Sequence, residues 1–204
     1  MTTSTARAEV ALAVARLAPA AVVLLAAPLL LDVAFGEPGA LEELHRRAPD
    51  VLGKAALCTL VGSYAITPIA TVTGWRWHVI LRRDYGLWTF AIAMTDLVLA
   101  ATLDEHGWRT GIAGTAGQAA GTMATLLLVP LALTSNRWSM RLLGRDWKRL
   151  HLLVLPVMLL VALHLVFIGS EAFAVAFVSV TSVLWALRLR PVRQWVTRAR
   201  KVRA

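Results

Sequence analysis

The sequence predicts an all-α, polytopic membrane protein: a bundle of six transmembrane helices with both termini in the cytoplasm. Of its 204 residues, 58% are hydrophobic and only 16% are charged, and the mean hydropathy is +0.65. That composition is too apolar for an ordinary soluble domain. The apolar residues also fall into six runs of about 20 residues, the length that crosses a bilayer. The lipid bilayer is therefore the first partner that we expect.

Each apolar run is bounded by polar or turn-forming residues. The first follows a short Ser/Thr-rich head and is longer than the apolar core of a signal peptide, so we expect it to be retained as a helix. The last two are separated by only three residues, which predicts an antiparallel hairpin. We expect a cytoplasmic head at 1–9, one domain at 10–187 and a basic cytoplasmic tail at 188–204. The six predicted spans are residues 10–31, 51–72, 85–103, 112–133, 150–168 and 172–187.

Arginine and lysine orient the bundle. Most of the 21 basic residues lie in the N-terminal region, the connections around residues 76–83 and 137–149, and the tail from residue 188. Cytoplasmic connections of membrane proteins carry this excess of positive charge. The pattern predicts a multi-pass protein of the cell membrane with both termini inside. It also accounts for the net charge of +9, so we expect no nucleic-acid partner.

Two histidines, His151 and His164, lie in the fifth apolar run. A histidine in hydrocarbon is costly unless it binds a partner, so each is a candidate ligand of a haem iron. The alternative is that they hydrogen-bond to other helices or face a polar cavity. They lie about 20 Å apart along one helix, so they do not jointly hold one iron. Each belongs to a site of its own.

Several motifs, in order, resemble the ferric reductase-like transmembrane domain family over about residues 50–170. The resemblance rests on GKAAL from Gly53, ITP at 66–68, RRDYGLWTF at 82–90, LTSNRW at 133–138, and LGRDWKRLH at 143–151 followed by His164. It implies a six-helix bundle that carries b-type haem and passes electrons across the membrane. It further implies that histidines of the third and fifth helices hold the iron, and His151 and His164 match the fifth-helix pair. Six-coordinate iron of this kind suits electron transfer.

The third predicted span departs from that family. Asp96 stands where the family has a histidine, and residues 85–103 contain no histidine. Asp96 and His164 lie about 17 and 21 Å from the cytoplasmic ends of their spans, so they fall at nearly the same level, the outer haem position. Carboxylate is a harder ligand that favours ferric iron. We therefore expect at most one haem b. The alternative is a carboxyl group that bonds His164 directly.

The inner position has a less obvious second ligand. His78, in the basic connection before the third span, is the candidate nearest to His151, but Trp75 and Trp77 mark its loop as interfacial. We expect a solvated histidine there. Cys58 lies inside an apolar run, which predicts a small buried thiol. The small residues around Gly117 and Gly121 indicate close packing of the fourth span, the alternatives being a homodimer face or close approach to a flat ring.

The sequence therefore predicts a membrane haem protein that takes electrons from a cytoplasmic donor and passes them to an external oxidoreductase partner. No flavin or nicotinamide domain is apparent, so the expected donor is a separate flavin reductase or a quinol. One competing interpretation is a non-redox membrane module that lost its iron ligands and assists a partner. Another is a small transporter that uses Asp96 as a proton-coupled carboxylate.

Overall fold

The computed structural model describes residues 12–13, 15–17, 35–36, 38–74, 81–103, 113–189, 191–192, 194–196 and 198. These residues form helices joined by short turns. A single 3₁₀ turn, His151–Leu153, interrupts the helical run that carries both histidines, just before Pro156 removes a backbone donor. The α helices are α1 Ala40–Thr73, α2 Leu81–Leu103, α3 Ala116–Leu133, α4 Arg137–Leu143, α5 Arg145–Leu150, α6 Val154–Phe167 and α7 Glu171–Ala186.

Within the described residues, four helical stretches are long and apolar enough to cross a membrane. They are Arg46–Thr73, Leu81–Thr102, Ala116–Leu133 and Arg145–Phe167, and they confirm the second to fifth predicted spans. The chain is a multi-pass membrane protein. The sixth predicted span corresponds to α7, which is apolar but has only 16 residues. The first, residues 10–31, lies almost entirely outside the described residues, so the total of six spans stays a prediction.

Two helical regions extend beyond the apolar runs. Helix α1 begins at Ala40, well before the predicted start at residue 51. Its polar first turns carry ion pairs between Arg46 and Glu43 and between Lys54 and Asp50, at spacings that support a helix. The connection after α3 likewise folds into the short helices α4 and α5. Hydropathy alone does not detect these polar helices.

The helices pack in two main pairs. Helix α2 lies along α1, and α6 lies along α3 and also contacts α7, while α2 also contacts α3. The main core joins α1, α3, α6 and α7 through residues such as Leu60, Leu128 and the fully buried Val157. A buried hydrogen bond of 3.0 Å from Thr89 to Thr59 ties α2 to α1. No comparably extensive packing joins α2 to α6 in the described part of the chain.

The prediction for Cys58 is wrong, because the structure places it on the exposed face of α1. An apolar run predicts an apolar environment, and for a membrane helix lipid supplies that environment as well as the protein core does.

Contacts between distant residues define one end of the bundle. Arg16 pairs with Asp84 at 2.8 Å, and the indole nitrogen of Trp88 donates to the Arg16 carbonyl at 3.1 Å. The hydroxyl of Ser63 donates to the carbonyl of Arg82 at 2.9 Å. The start of α2 thus lies beside residue 16 and the last turns of α1. Arg16 and the start of α2 therefore meet at the same end.

Candidate functional site

The connection between α3 and α6 is folded around Trp147. Asn136 caps α4 by accepting a hydrogen bond from the backbone of Ser139, as its type favours. The carbonyl of Thr134, just after α3, accepts a 2.9 Å bond from the indole nitrogen of Trp147. The segment between α3 and α4 thus forms caps and turns. Its main consequence is a fixed position for Trp147.

Trp147 in turn orients His151. The two ring centroids are 3.9 Å apart with an interplanar angle of 30°. Nδ1 of His151 lies 3.0 Å from the carbonyl oxygen of Trp147. A carbonyl only accepts hydrogen bonds, so we assign the proton to Nδ1. The neutral imidazole then carries its free lone pair on Nε2.

His164 is held in the same way by another helix. Its Nδ1 donates to the carbonyl of Gly117 on α3 at 2.7 Å, which again leaves the lone pair on Nε2. The ring lies directly against Gly121, where an added Cβ would be 2.8 Å from Nδ1. At Gly117 an added Cβ would be 2.9 Å from Ile168. These contacts confirm the predicted close packing at the two glycines.

Both histidines therefore present the arrangement that metal-ligating histidines use. Such residues donate one ring N–H to a carbonyl or carboxylate, which fixes the ring and leaves the other nitrogen for the metal. The described residues contain no group of three or more His, Cys, Asp or Glu side chains able to hold a metal ion by themselves. A haem iron needs no such group, because the porphyrin supplies four nitrogen ligands and the protein adds only axial ones.

Asp96 is not the partner of His164 in this structure. No hydrogen bond joins them among the described contacts, and Oδ1 of Asp96 is buried without a hydrogen-bond partner. The alternative of a direct Asp96–His164 bond is wrong, since the His164 ring is turned towards the α3 backbone. A buried, unpartnered carboxyl oxygen is costly, and it is the kind of group that fits an added ligand. Asp96 remains a candidate at the position of the missing histidine.

The inner site is incomplete in what the structure describes. His78 lies outside the described residues, so its predicted place as a solvated residue near His151 is not tested. The sequence pattern did not single out three residues at this end, namely Tyr64, Trp147 and Arg188. One signal for them was present, because a proline four residues after Tyr64 leaves its carbonyl without the usual helical donor.

Comparisons with known proteins agree with this organisation. The sequence profile described as ferric reductase like transmembrane component matches residues 52–162, which include His151 and Asp96. A protein-methionine-sulfoxide reductase heme-binding subunit MsrQ from Xanthomonas campestris pv. campestris (strain B100) is 41% identical over 116 residues, 55% of this chain and 53% of the relative. The protein of the same name from Rhizobium meliloti (strain 1021) is 38% identical over 152 residues, 70% of each.

The chain spans about half the length of the Xanthomonas relatives that it matches. No solved structure matches it significantly. The motifs quoted from the sequence resemble the haem-binding membrane subunit of bacterial periplasmic methionine sulfoxide reductase, and the named relatives confirm that resemblance. A profile match over more than half of the chain, with a relative 38% identical across 70% of both sequences, shows that this chain belongs to the ferric reductase-like transmembrane family.

Proposed function

We propose that this protein is a membrane electron-transfer subunit that binds at most one b-type haem, with His151 as an iron ligand at the cytoplasmic end. The observation that carries the proposal is the hydrogen bond of the His151 Nδ1 to the carbonyl of Trp147. That bond fixes the ring and directs the unprotonated nitrogen away from its own helix turn. Bound haem b supplies reversible one-electron exchange between ferric and ferrous iron.

His164 is oriented in the same way as His151, but we do not propose it as an iron ligand. Its ring is equally ready to bind iron, yet the opposite position on α2 carries Asp96 instead of a second imidazole. A carboxylate in that place stabilises ferric iron and weakens haem binding. This is why we propose one haem or fewer and place it at His151. The family's two-histidine arrangement at the outer level does not carry over to this chain.

The proposed direction of electron flow follows from charge. We assign the arginine-rich connections to the cytoplasm, which puts His151 near the cytoplasmic surface. The donor in this proposal is a separate cytoplasmic flavin reductase or a membrane quinol, and the acceptor is an external oxidoreductase. MsrQ relatives carry the words heme-binding subunit of protein-methionine-sulfoxide reductase in their names, which supports a partner of that class here.

Redox spectroscopy tests the proposal. Purified protein, expressed with ample haem, is expected to show a b-type spectrum that changes reversibly with dithionite and ferricyanide. Protein in vesicles that enclose ferricyanide is expected to carry electrons inwards from a reductant added outside. His151→Ala should remove both signals, while His45→Ala, in the polar first turns of α1, should retain them. A haem-replete preparation without a reversible spectrum would contradict the proposed function.

One observation favours a second candidate, a haem-free membrane module. His164 packs tightly on Gly121 and bonds Gly117, so its polarity is already satisfied within the protein. A bundle that lost haem would retain such a contact because it stabilises the packing of α3 against α6. This candidate predicts a colourless, well-folded protein under the same expression conditions.

A further inference from the structure

Arg188 makes an unusual contact at the end of the last helix. Helix α1 contains Pro68, which is fully buried. Proline has no N–H group, so the carbonyl of Tyr64, four residues earlier, lacks its helical donor. Nη2 of Arg188 donates to that carbonyl at 2.7 Å. A side chain distant in sequence thus satisfies the backbone group that the proline frees.

The same guanidinium lies over the ring of Tyr64. Its central carbon is 3.8 Å from the ring centroid, within the range of a cation–π contact. Tyr64 itself is buried, with 5% of its surface exposed. The two contacts fix Arg188 in one position and leave it half-buried. Burial lowers the pKa of the Arg188 guanidinium from its ordinary value.

One buried donor of Arg188 has no partner. Its Nε is buried and makes no hydrogen bond. In the described part of the chain, no carboxylate pairs with Arg188 or with Arg82. The charge of Arg82, at the start of α2, acts on both Arg188 and His151. Arg82 therefore lies near both the guanidinium of Arg188 and the imidazole of His151. The half-buried Arg188 has no carboxylate partner among the described residues, which is costly.

We propose that Arg188 binds a carboxylate, and that this carboxylate is a propionate of the haem whose iron His151 holds. The inference rests on the proposed function. Both propionates of haem b lie on one edge of the ring. A haem bound by His151 near the membrane surface would therefore present that edge to Arg188, which follows the end of α7, the helix adjacent to α6. A guanidinium pre-positioned on Tyr64 offers its Nε to such a group in a charge-assisted hydrogen bond. Arg82 adds a second positive charge on the same side.

Haem and its dimethyl ester test this proposal, since esterification removes only the propionate charges. Haem-depleted full-length protein is titrated with each compound in detergent, and the absorption change gives both Kd values. We expect the wild-type protein to bind haem about tenfold more tightly than the ester, as one charge-assisted bond provides. Arg188→Gln should abolish that preference. Arg141→Gln, at an exposed arginine of α4, should retain it.

Arg188→Lys is the second variant, in case Arg188→Gln fails to fold. It keeps a cation and a donor for the Tyr64 carbonyl, so it should retain part of the preference for haem over the ester. Equal affinity of the wild-type protein for haem and ester would overturn the inference without any variant. So would a preference that Arg188→Gln leaves intact. A stability gain from phosphatidylglycerol that depends on Arg188, without discrimination between haem and ester, would assign the site to a lipid phosphate instead.

These results separate the two proposals. If His151→Ala abolishes haem binding but esterification does not change the affinity, only the proposed role of Arg188 is overturned. Haem binding that His151→Ala does not change removes the proposed iron ligand, and the inference about Arg188 is overturned with it.

Discussion

Backbone carbonyls, rather than carboxylates, orient the two intramembrane histidines. His151 donates to the carbonyl of Trp147 four residues earlier, and His164 donates to that of Gly117 on another helix. Both bonds direct the lone pair to Nε2, the nitrogen farther from the backbone. At the residue scale, each imidazole is therefore oriented by the protein backbone, with its Nε2 lone pair available to a ligand.

Asp96→His tests whether the outer position retains the geometry of a haem site. The substitution restores an imidazole at the predicted level of His164, so we expect haem content to rise and the spectrum to become that of low-spin, bis-histidine iron. Haem per chain and the absorption spectrum measure both effects. A well-folded variant with unchanged haem under haem-replete expression would contradict a preserved outer pocket.

Asp96→Ala tests the unpartnered carboxyl oxygen. Because Oδ1 is buried without a hydrogen bond, its removal leaves no partner unsatisfied. We expect the free energy of unfolding of the haem-free protein to stay unchanged or to rise by about 1 kcal/mol. Thermal or denaturant unfolding in detergent provides the measurement. A loss of about 1 to 3 kcal/mol would reveal a polar partner for Asp96.

Sequence reasoning identified these residues but not all of their contacts. A histidine or carboxylate in an apolar run is conspicuous, so His151, His164 and Asp96 follow from the sequence. The bond from His164 to Gly117 joins residues 47 positions apart, and the contact of Arg188 with Tyr64 joins residues 124 apart. Such pairs depend on how helices pack, which the local pattern does not specify.

At the scale of elements, small residues set the distance between α3 and α6. Gly117 and Gly121 face the helix that carries His164, and their spacing of four residues puts them on one helix face. The sequence predicted this packing from the small residues alone. It did not predict α4, α5 or the early start of α1, because charge pairs and caps rather than apolar periodicity specify those stretches.

Gly121→Ala, compared with a control glycine, distinguishes the effect of helix packing on stability from the effect of helix propensity. An added methyl would lie 2.8 Å from the His164 ring, so α3 and α6 must move apart, at a cost of about 1 to 3 kcal/mol in unfolding free energy. The matched control is Gly53→Ala on α1, where an added Cβ has no neighbour within 4 Å. That control should be stabilising by up to about 1 kcal/mol. Equal effects of the two substitutions on the unfolding transition would contradict the close helix contact.

For the whole molecule, the contacts at one end agree with the charge pattern. Arg16 meets Asp84, and Arg188 meets Tyr64, so the N-terminal region, the start of α2 and the end of α7 converge there. These segments include Arg16, Arg82 and Arg188, which belong to three of the four basic regions predicted to be cytoplasmic. Composition and hydropathy were enough to predict a helical membrane protein, and the six spans and their orientation are predictions that a measurement of topology tests.

Reporter fusions provide that measurement of topology. Fusions after Gly36 and Gly107 should report an external location, and fusions after Arg83, Arg145 and Arg203 a cytoplasmic one, because positive charge is retained inside. A cytoplasmic signal at Gly107 would reverse the proposed orientation. It would also move His151 from the cytoplasmic end of the bundle to the external end.

Haem stoichiometry tests the central claim most directly. The haem content of the purified protein, determined as the pyridine haemochrome and divided by the protein concentration, is expected not to exceed one b-type haem per chain. Under haem-replete expression, His151→Ala should lower it at least tenfold, while His45→Ala leaves it unchanged. Two tightly bound haems per chain, or a content that His151→Ala does not alter, would contradict the account.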